Sequence, residues 1–173
     1  ACLLDEGTRL GCRTVVLLGA LLADVPHTRD LPANATSSSP AMREAFGIKE
    51  SEYEGPTGIV GVIETTAAAM GFSTLSLWTS VPHYVAEVPC PKATVALMRL
   101  LSSLLDEPIS APRIEEEADL WEDNVTAMMN DSPELTSYVM ELERARDTAE
   151  SPEATGEAIA AEFERYLRRN DNN

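Results

Sequence analysis

Basic residues are scarce in this 173-residue sequence, where 13 lysines and arginines stand against 29 acidic residues and give a net charge of −16. Nucleic-acid phosphates and anionic membranes both attract basic protein surfaces, so the composition argues against either as a partner. Cysteine is also rare, and Cys2, Cys12 and Cys90 are spaced neither as a disulfide framework nor as zinc ligands. This cysteine usage predicts a cytoplasmic protein.

Long apolar runs are absent, and no stretch reaches the roughly 18 residues that a membrane helix needs. The first residues, ACLLDEGTRLGC, lack the basic region and the apolar stretch of a signal peptide. The chain instead begins as though inside a helix, and we expect that an N-terminal segment of the core is missing from it.

Known catalytic signatures are missing as well. Ser73 lacks the second glycine of a nucleophile elbow, and Gly55, Gly58 and Gly61 are spaced neither as a dinucleotide fingerprint nor as a P-loop. A Gly-rich turn that opens a helix can still present backbone N–H groups to an anion, with Thr57 and Gly58 as the candidates. The competing interpretation is close helix packing through Gly58 and Gly61. The sequence predicts no catalytic residue, no metal site and no cofactor.

Two apolar runs of strand length predict an α/β fold with a mostly parallel sheet flanked by helices. Residues 14–22 and 72–80 are nearly unbroken apolar runs, typical of parallel strands that are buried on both faces. Each run follows a predicted helix that ends in glycine, at Gly11 and Gly71. The other elements predicted in this part are a loop at 30–40, a short helix at 41–46 and a helix against the sheet at 92–105.

Charge divides the chain into two parts. Residues 1–105 carry a net charge of −3, and residues 106–173 carry −13. In the acidic part, apolar residues recur at helical spacing and predict amphipathic helices at about 115–130, 133–148 and 153–169. We therefore predict an α/β core over residues 1–110 and an acidic helical appendage over residues 111–173.

The sequence contains two histidines, and both stand in Val-Pro-His turns that follow the apolar runs. His27 and His83 should therefore lie at the C-terminal edge of the sheet, where open α/β sheets bind ligands. A histidine titrates near neutral pH and can transfer protons, and a nearby carboxylate can orient it. The residues predicted to line this cleft are Asp24, His27, Thr28, Arg29, Glu64, Ser80, His83, Tyr84 and Lys92.

A purely structural interpretation of these residues competes with the cleft. The two histidines can cap their turns and satisfy backbone groups after the prolines. Lys92 stands in the first turn of a predicted helix, where a cation opposes the helix dipole. It either lines the cleft, contacts a partner, or is simply solvated.

Several segments resemble the proteasome assembly chaperone family of the second type. They are GPTGIVG at 55–61, GFSTLSLW at 71–78, VPHY at 81–84 and PCPKAT at 89–94, together with LGALLADVPHTR at 18–29. The tail segment AEFERYL at 161–167 is similar to an uncharacterised actinobacterial branch of that family. The resemblance implies a nucleoside-phosphorylase-like sheet sandwich in a self-associating protein, with a trimer as the favoured number. It also implies protein partners such as proteasome components, and it implies no established enzymatic activity.

Two hypotheses for the function follow. A non-catalytic, homo-oligomeric assembly or interaction protein should expose apolar patches and have no organised pocket. A small-molecule enzyme or sensor, with a nucleoside- or phosphate-like ligand, should have a pocket on which both histidines converge. In either case, self-association should use the nearly neutral α/β part and leave the acidic tail outside, because like-charged tails repel.

Overall fold

The computed structural model describes residues 2–49, 58–85 and 89–150. The predicted helix 153–169 and Thr57 lie outside these residues. The elements in chain order are α1 (Cys2–Arg9), β1 (Thr14–Ala23), β2 (Ala33–Thr36), α2 (Pro40–Phe46), α3 (Ile59–Ala69), β3 (Ser73–Pro82), a 3-10 turn (His83–Val85), α4 (Pro91–Leu105), α5 (Pro112–Asn130) and α6 (Pro133–Glu150).

The sheet is mixed, with the strand order β1-β3-β2. Strand β1 pairs with β3 in parallel, from Thr14 opposite Ser73 to Ala23 opposite Pro82, which confirms the predicted parallel pair. Strand β2 pairs with β3 in the antiparallel sense, so the expectation of a mostly parallel sheet is corrected to a mixed one. The prediction of a loop at 30–40 was wrong for the residues of β2. Their sequence, Ala-Asn-Ala-Thr, has few of the β-branched and aromatic residues that are typical of strands.

Strand β3 forms the centre of the sheet and is covered on both faces. Val81 packs with Leu31 and with Ala93 of α4 on one face. On the other face, the hydroxyl of Ser76 donates a hydrogen bond to Glu64 of α3 at 2.9 Å. Burial of β3, predicted from its apolar run, is confirmed, and Leu77 is fully buried.

Strand β1 was predicted to be buried on both faces, and this was wrong. Val15 packs against Leu4, Ala67 and Phe72, so one face is partly covered. On the opposite face Val16 is 39% exposed, and its apolar neighbours at alternate positions along the strand are more exposed still. The prediction failed because β1 lies at the edge of the sheet formed by the described residues. An apolar run indicates that a strand needs cover, but it does not show which part of a molecule supplies that cover.

A close approach fixes the pairing of β1 with β3. Gly19 lies opposite Trp78, and a Cβ built on Gly19 would come within 2.6 Å of the indole ring. Only glycine leaves room for the ring at this position. The indole thus covers the middle of β1 on the half-buried face.

The helices largely match their predictions. Helices α1 and α3 end just before Gly11 and Gly71, whose φ angles of 73° and 88° lie in the left-handed region that favours glycine. The helix predicted at 92–105 is α4, the short helix at 41–46 is α2, and those at 115–130 and 133–148 are α5 and α6. In the described part of the chain, no helix is long and apolar enough to cross a membrane.

The C-terminal helices have their own apolar cluster. It consists of Trp121, Val125 and Met129 from α5, with Val139 from α6 and Val85 from the 3-10 turn. Val85 follows β3 directly, so this cluster attaches the two helices to the end of the central strand.

We expect the substitution Leu77→Ala to lower the free energy of unfolding by about 2–5 kcal/mol, because it opens a cavity in the covered centre of the sheet. The matched substitution Leu105→Ala, at the 53% exposed end of α4, should change it by no more than about 0.5 kcal/mol. Denaturant unfolding of both variants measures the difference. Equal losses would show that β3 is not the centre of the core.

Candidate functional site

The two Val-Pro-His turns lie side by side at the C-terminal edge of the sheet. Because β1 and β3 are parallel and Ala23 lies opposite Pro82, both strands end at the same level. The ring of Tyr84 lies between the two histidines, with its centroid 5.8 Å from that of His27 and 5.7 Å from that of His83. The two turns therefore form one aromatic group.

His27 is only 1% exposed, and its polar atoms have intramolecular partners. Its backbone N–H donates a hydrogen bond to the Tyr84 hydroxyl at 2.9 Å, and its Nδ1 lies 2.9 Å from the same oxygen. Its Nε2 lies 3.0 Å from the hydroxyl of Thr126 on α5. All three contacts are hydrogen bonds if the Tyr84 hydroxyl donates to Nδ1 and Nε2–H donates to the hydroxyl of Thr126.

Burial determines the protonation states of His27 and Tyr84. Desolvation lowers the pKa of His27 below its ordinary value, although the nearby carboxylate of Glu122 acts in the opposite direction. Burial also raises the pKa of Tyr84 to about 12. Both groups are therefore neutral near pH 7, and the imidazole serves as a hydrogen-bonded link between β1, the turn after β3 and α5.

His83 lies on the outer side of Tyr84 and is exposed. Its Nδ1 is 3.1 Å from Oδ1 of Asp24. Tyr138 of α6 donates a hydrogen bond to the same carboxylate oxygen at 3.3 Å, and its ring lies edge-on to those of His83 and Tyr84. A carboxylate thus orients His83, as the sequence suggested, while helix α6 occupies the space beside it.

The residues after His27 are tied to α6. Arg29 forms a two-pronged pair with Asp147, through Nε and Nη2 at 2.9 Å each, and also contacts Glu143. The guanidinium holds the pKa of the Asp147 carboxyl below its ordinary range. Thr28 donates a hydrogen bond to Glu143.

Lys92 has a defined structural role, which resolves its unfavourable position in the first turn of α4. Its ammonium donates a hydrogen bond to the backbone carbonyl of His27 at 2.6 Å and forms an ion pair with Glu122 of α5. Its side chain is 14% exposed. These contacts offset the cost that the helix dipole imposes on the cation.

The structure brings together most, but not all, of the residues predicted for the cleft. Glu64 lies apart, on α3, where it accepts a hydrogen bond from Ser76. Ser80 also lies apart, and its backbone N–H donates to the carbonyl of Pro32. Gly58 caps the N-terminus of α3 and is exposed. The members that converge are Asp24, His27, Thr28, Arg29, His83, Tyr84 and Lys92.

Helices α5 and α6 cover the edge where the cleft was expected. Two cavities, of about 280 Å³ and 500 Å³, lie near it between α4 and α5, and neither is lined by a histidine. In the described ranges, no group of three or more His, Cys, Asp or Glu side chains is arranged to hold a metal ion.

Sequence reasoning missed the partners that come from the acidic appendage. One is Glu122, which pairs with Lys92. The others are Thr126, Tyr138, Glu143 and Asp147, whose contacts with residues 24–29 span about a hundred positions or more in the chain. In the sequence, the acidic residues among them look like ordinary solvent-exposed residues on the surfaces of helices. The available signal was the presence of two cations, Arg29 and Lys92, among the residues predicted for the cleft, since a partly buried cation needs a carboxylate partner.

Comparison with known proteins gives a consistent assignment. The PAC2 family matches residues 1–129. A PAC2 family protein from Streptomyces avermitilis is 41% identical, with a TM-score of 0.71 over 79% of this chain and 57% of that one. A proteasome-assembly chaperone homologue from Mycobacterium tuberculosis is 42% identical, with a TM-score of 0.66 over 79% of this chain and 58% of that one.

A third structure, a Mycobacterium tuberculosis protein of unknown function, is 25% identical, with a TM-score of 0.74 over 95% of this chain and 53% of that one. The chain thus spans a little over half the length of these relatives. No functionally curated protein matches the sequence.

We expect the stability of the protein to fall as the pH drops below about 6.5, because the unfolded state then binds a proton that buried His27 resists. His27→Gln keeps hydrogen-bonding atoms but cannot become charged, so this part of the pH dependence should disappear. Unfolding free energies between about pH 8 and about pH 5 measure it. His83→Gln, at an exposed site, is the control and should leave the His27 contribution in place. Identical pH profiles for the wild type and His27→Gln would contradict the assignment.

We expect Lys92→Met to lower the free energy of unfolding by roughly 1–3 kcal/mol, since it leaves the His27 carbonyl and Glu122 without their cation. Methionine keeps the length of the apolar stem, so the loss reports the charge. Arg99→Met, which removes the exposed 3.3 Å pair with Asp30, should cost at most about 1 kcal/mol. Chemical denaturation compares the two, and a Lys92 effect no larger than that of Arg99 would count against the structural role.

Proposed function

Because the chain belongs to the PAC2 family, we propose that it is a non-catalytic binding protein that acts in assembly or interaction with other proteins. The observation that carries the proposal is the state of His27. Both its ring nitrogens and its backbone N–H are engaged by Tyr84 and Thr126 in a site that α5 and α6 cover. A general base needs a free nitrogen within reach of a substrate.

Apolar exposure supports the same proposal. Leu18 and Leu22 lie on the same face of β1, and both are more than half exposed. Contiguous exposed apolar surface on a soluble protein marks sites of protein contact. A binding protein of this kind needs no cofactor, and we place it in the cytoplasm on its cysteine usage.

The partner that we propose is a component of the proteasome. The Mycobacterium tuberculosis relative at 42% identity is described as a proteasome-assembly chaperone homologue. The chain should also associate with itself through its nearly neutral α/β part. We also propose that the chain forms the nucleoside-phosphorylase-like sheet sandwich and the trimer that the resemblance implies.

The alternative, a small-molecule enzyme or sensor, has less support. It required both histidines to converge on a pocket, and the cavities near them are lined by other residues. Its remaining basis is Lys92, which lines the smaller cavity together with Glu122.

We expect purified protein to bind purified proteasome subunits and to show no saturable rise in melting temperature with nucleosides, phosphate or sugars. Biolayer interferometry measures the first and thermal shift the second. Lys92→Met is the control for a ligand in the smaller cavity. A saturable stabilisation that this variant abolishes would favour the enzyme or sensor instead.

We also expect self-association to strengthen as salt is raised, because copies with a charge of −16 repel one another and salt screens that repulsion beyond about 8 Å at physiological ionic strength. Light scattering at low and high salt gives the mass directly. A protein that is monomeric at every salt concentration would refute self-association. Dissociation at high salt would mean that the contact is held by ion pairs rather than by apolar surface.

A further inference from the structure

The smaller of the two cavities has an apolar interior and a charged rim. It measures about 280 Å³ and lies between α4, α5 and the residues that follow Arg29. Leu31, Val95 and Ala118 line it, and each is at most 7% exposed. Sites for small molecules usually measure roughly 300–1,000 Å³, so a cavity of this size suits a single side chain.

The rim of this cavity carries an excess of negative charge, with four carboxylates and two cations. The cations, Lys92 and Arg99, are already paired with two of the carboxylates. The other two carboxylates belong to Glu115 and Asp119, and neither has a cationic partner among the described residues. The rim therefore has a net charge of −2 and two carboxylates that can accept hydrogen bonds from a ligand.

Glu115 and Asp119 are also unfavourably placed with respect to each other. They stand four residues apart on α5, so their side chains lie on the same face of the helix. Like charges at this spacing repel each other. A cation bound between them would remove that repulsion.

We propose that this cavity receives an arginine side chain from a protein partner, with the guanidinium between the carboxylates of Glu115 and Asp119. The proposal rests on the binding function put forward above and names the chemistry by which the partner is recognised. Basic side chains lay their apolar stems along apolar surface while their charged ends reach polar groups. Arginine is favoured over lysine because its planar guanidinium can donate to two carboxylates at once.

The charge of the whole chain favours another protein as the source of this side chain. At −16, the chain attracts a basic partner from a distance and repels a second copy of itself. An anionic small molecule fits the cavity less well. Lys92 is engaged by the carbonyl of His27 and by Glu122, so a phosphate or carboxylate would meet a negative rim without a free cation.

A small arginine derivative tests the cavity directly. We expect N-acetyl-arginine amide to shift the backbone amide resonances of Val95 and Ala118 in the full chain, saturably and with millimolar affinity. The citrulline derivative has almost the same shape but no charge, and it should bind at least roughly tenfold more weakly. Equal binding of the two compounds would refute the role of the carboxylates.

Matched pairs of substitutions test the two carboxylates. Glu115→Gln combined with Asp119→Asn should weaken the binding of the arginine derivative at least roughly tenfold. Glu116→Gln combined with Asp123→Asn removes the same charge from exposed positions of α5 outside the cavity, and it should leave binding unchanged. Equal weakening in both pairs would show a general effect of net charge and overturn the proposal.

The folding of the cavity variant is checked by its thermal unfolding. Because the substitutions at Glu115 and Asp119 relieve a repulsion, the variant should melt no lower than the wild type. A loss of binding in that variant then comes from the missing carboxylates and not from unfolding.

The same variants connect the cavity to the proposed partner. Biolayer interferometry with purified proteasome subunits should show at least roughly tenfold weaker binding for the cavity pair and no change for the control pair. Equal binding by both pairs would refute the cavity as the contact and leave the proposed binding function standing. Arginine binding without any binding of proteasome subunits would refute the proteasome as the partner and leave the recognition chemistry standing.

The tail of the chain itself is the other possible source of a guanidinium. Arg165, Arg168 and Arg169 lie outside the described residues. If the arginine derivative binds only after all three are replaced by glutamine, the cavity belongs to the tail and the assignment to another protein is overturned. Unchanged affinity in that variant supports the assignment.

Discussion

The hydrogen-bonded link at His27 is the constraint on which the arrangement of this molecule depends. One imidazole joins the turn after β1, the hydroxyl of Tyr84 after β3, and Thr126 on α5. Its backbone carbonyl is held in turn by Lys92 at the start of α4. A buried polar group is costly when it is unpaired, so these hydrogen bonds favour the one arrangement of the sheet and the C-terminal helices in which His27 keeps all of its partners.

Local patterns predicted the elements well. The apolar runs identified β1 and β3, their common ends followed from the two Val-Pro-His turns, and helical spacing identified α5 and α6. These features depend on neighbouring residues. The short strand β2 was missed because pairing with β3, and not its own composition, makes it a strand.

Features that depend on distant residues were not predictable in the same way. Most residues predicted for the cleft lie close together, whereas Glu64 and Ser80 do not. Nothing near them in the chain indicated that Glu143 and Asp147 would pair with Arg29. Exposure of Val16 was missed for a similar reason. An apolar strand looks the same whether its cover comes from its own domain, from another segment or from another molecule.

The placement of the two tryptophans has a practical consequence. Trp78 lies in the sheet across Gly19, whereas Trp121 lies in the helical cluster, with its ring centroid 6.5 Å from that of His27. Since the chain has no other tryptophan, replacing either with phenylalanine leaves a single tryptophan, whose emission reports one layer. Emission from Trp121 would follow the detachment of the helices, and emission from Trp78 the separation of the strands. The molecule thus carries its own pair of optical probes for deciding whether its two layers melt together or in sequence.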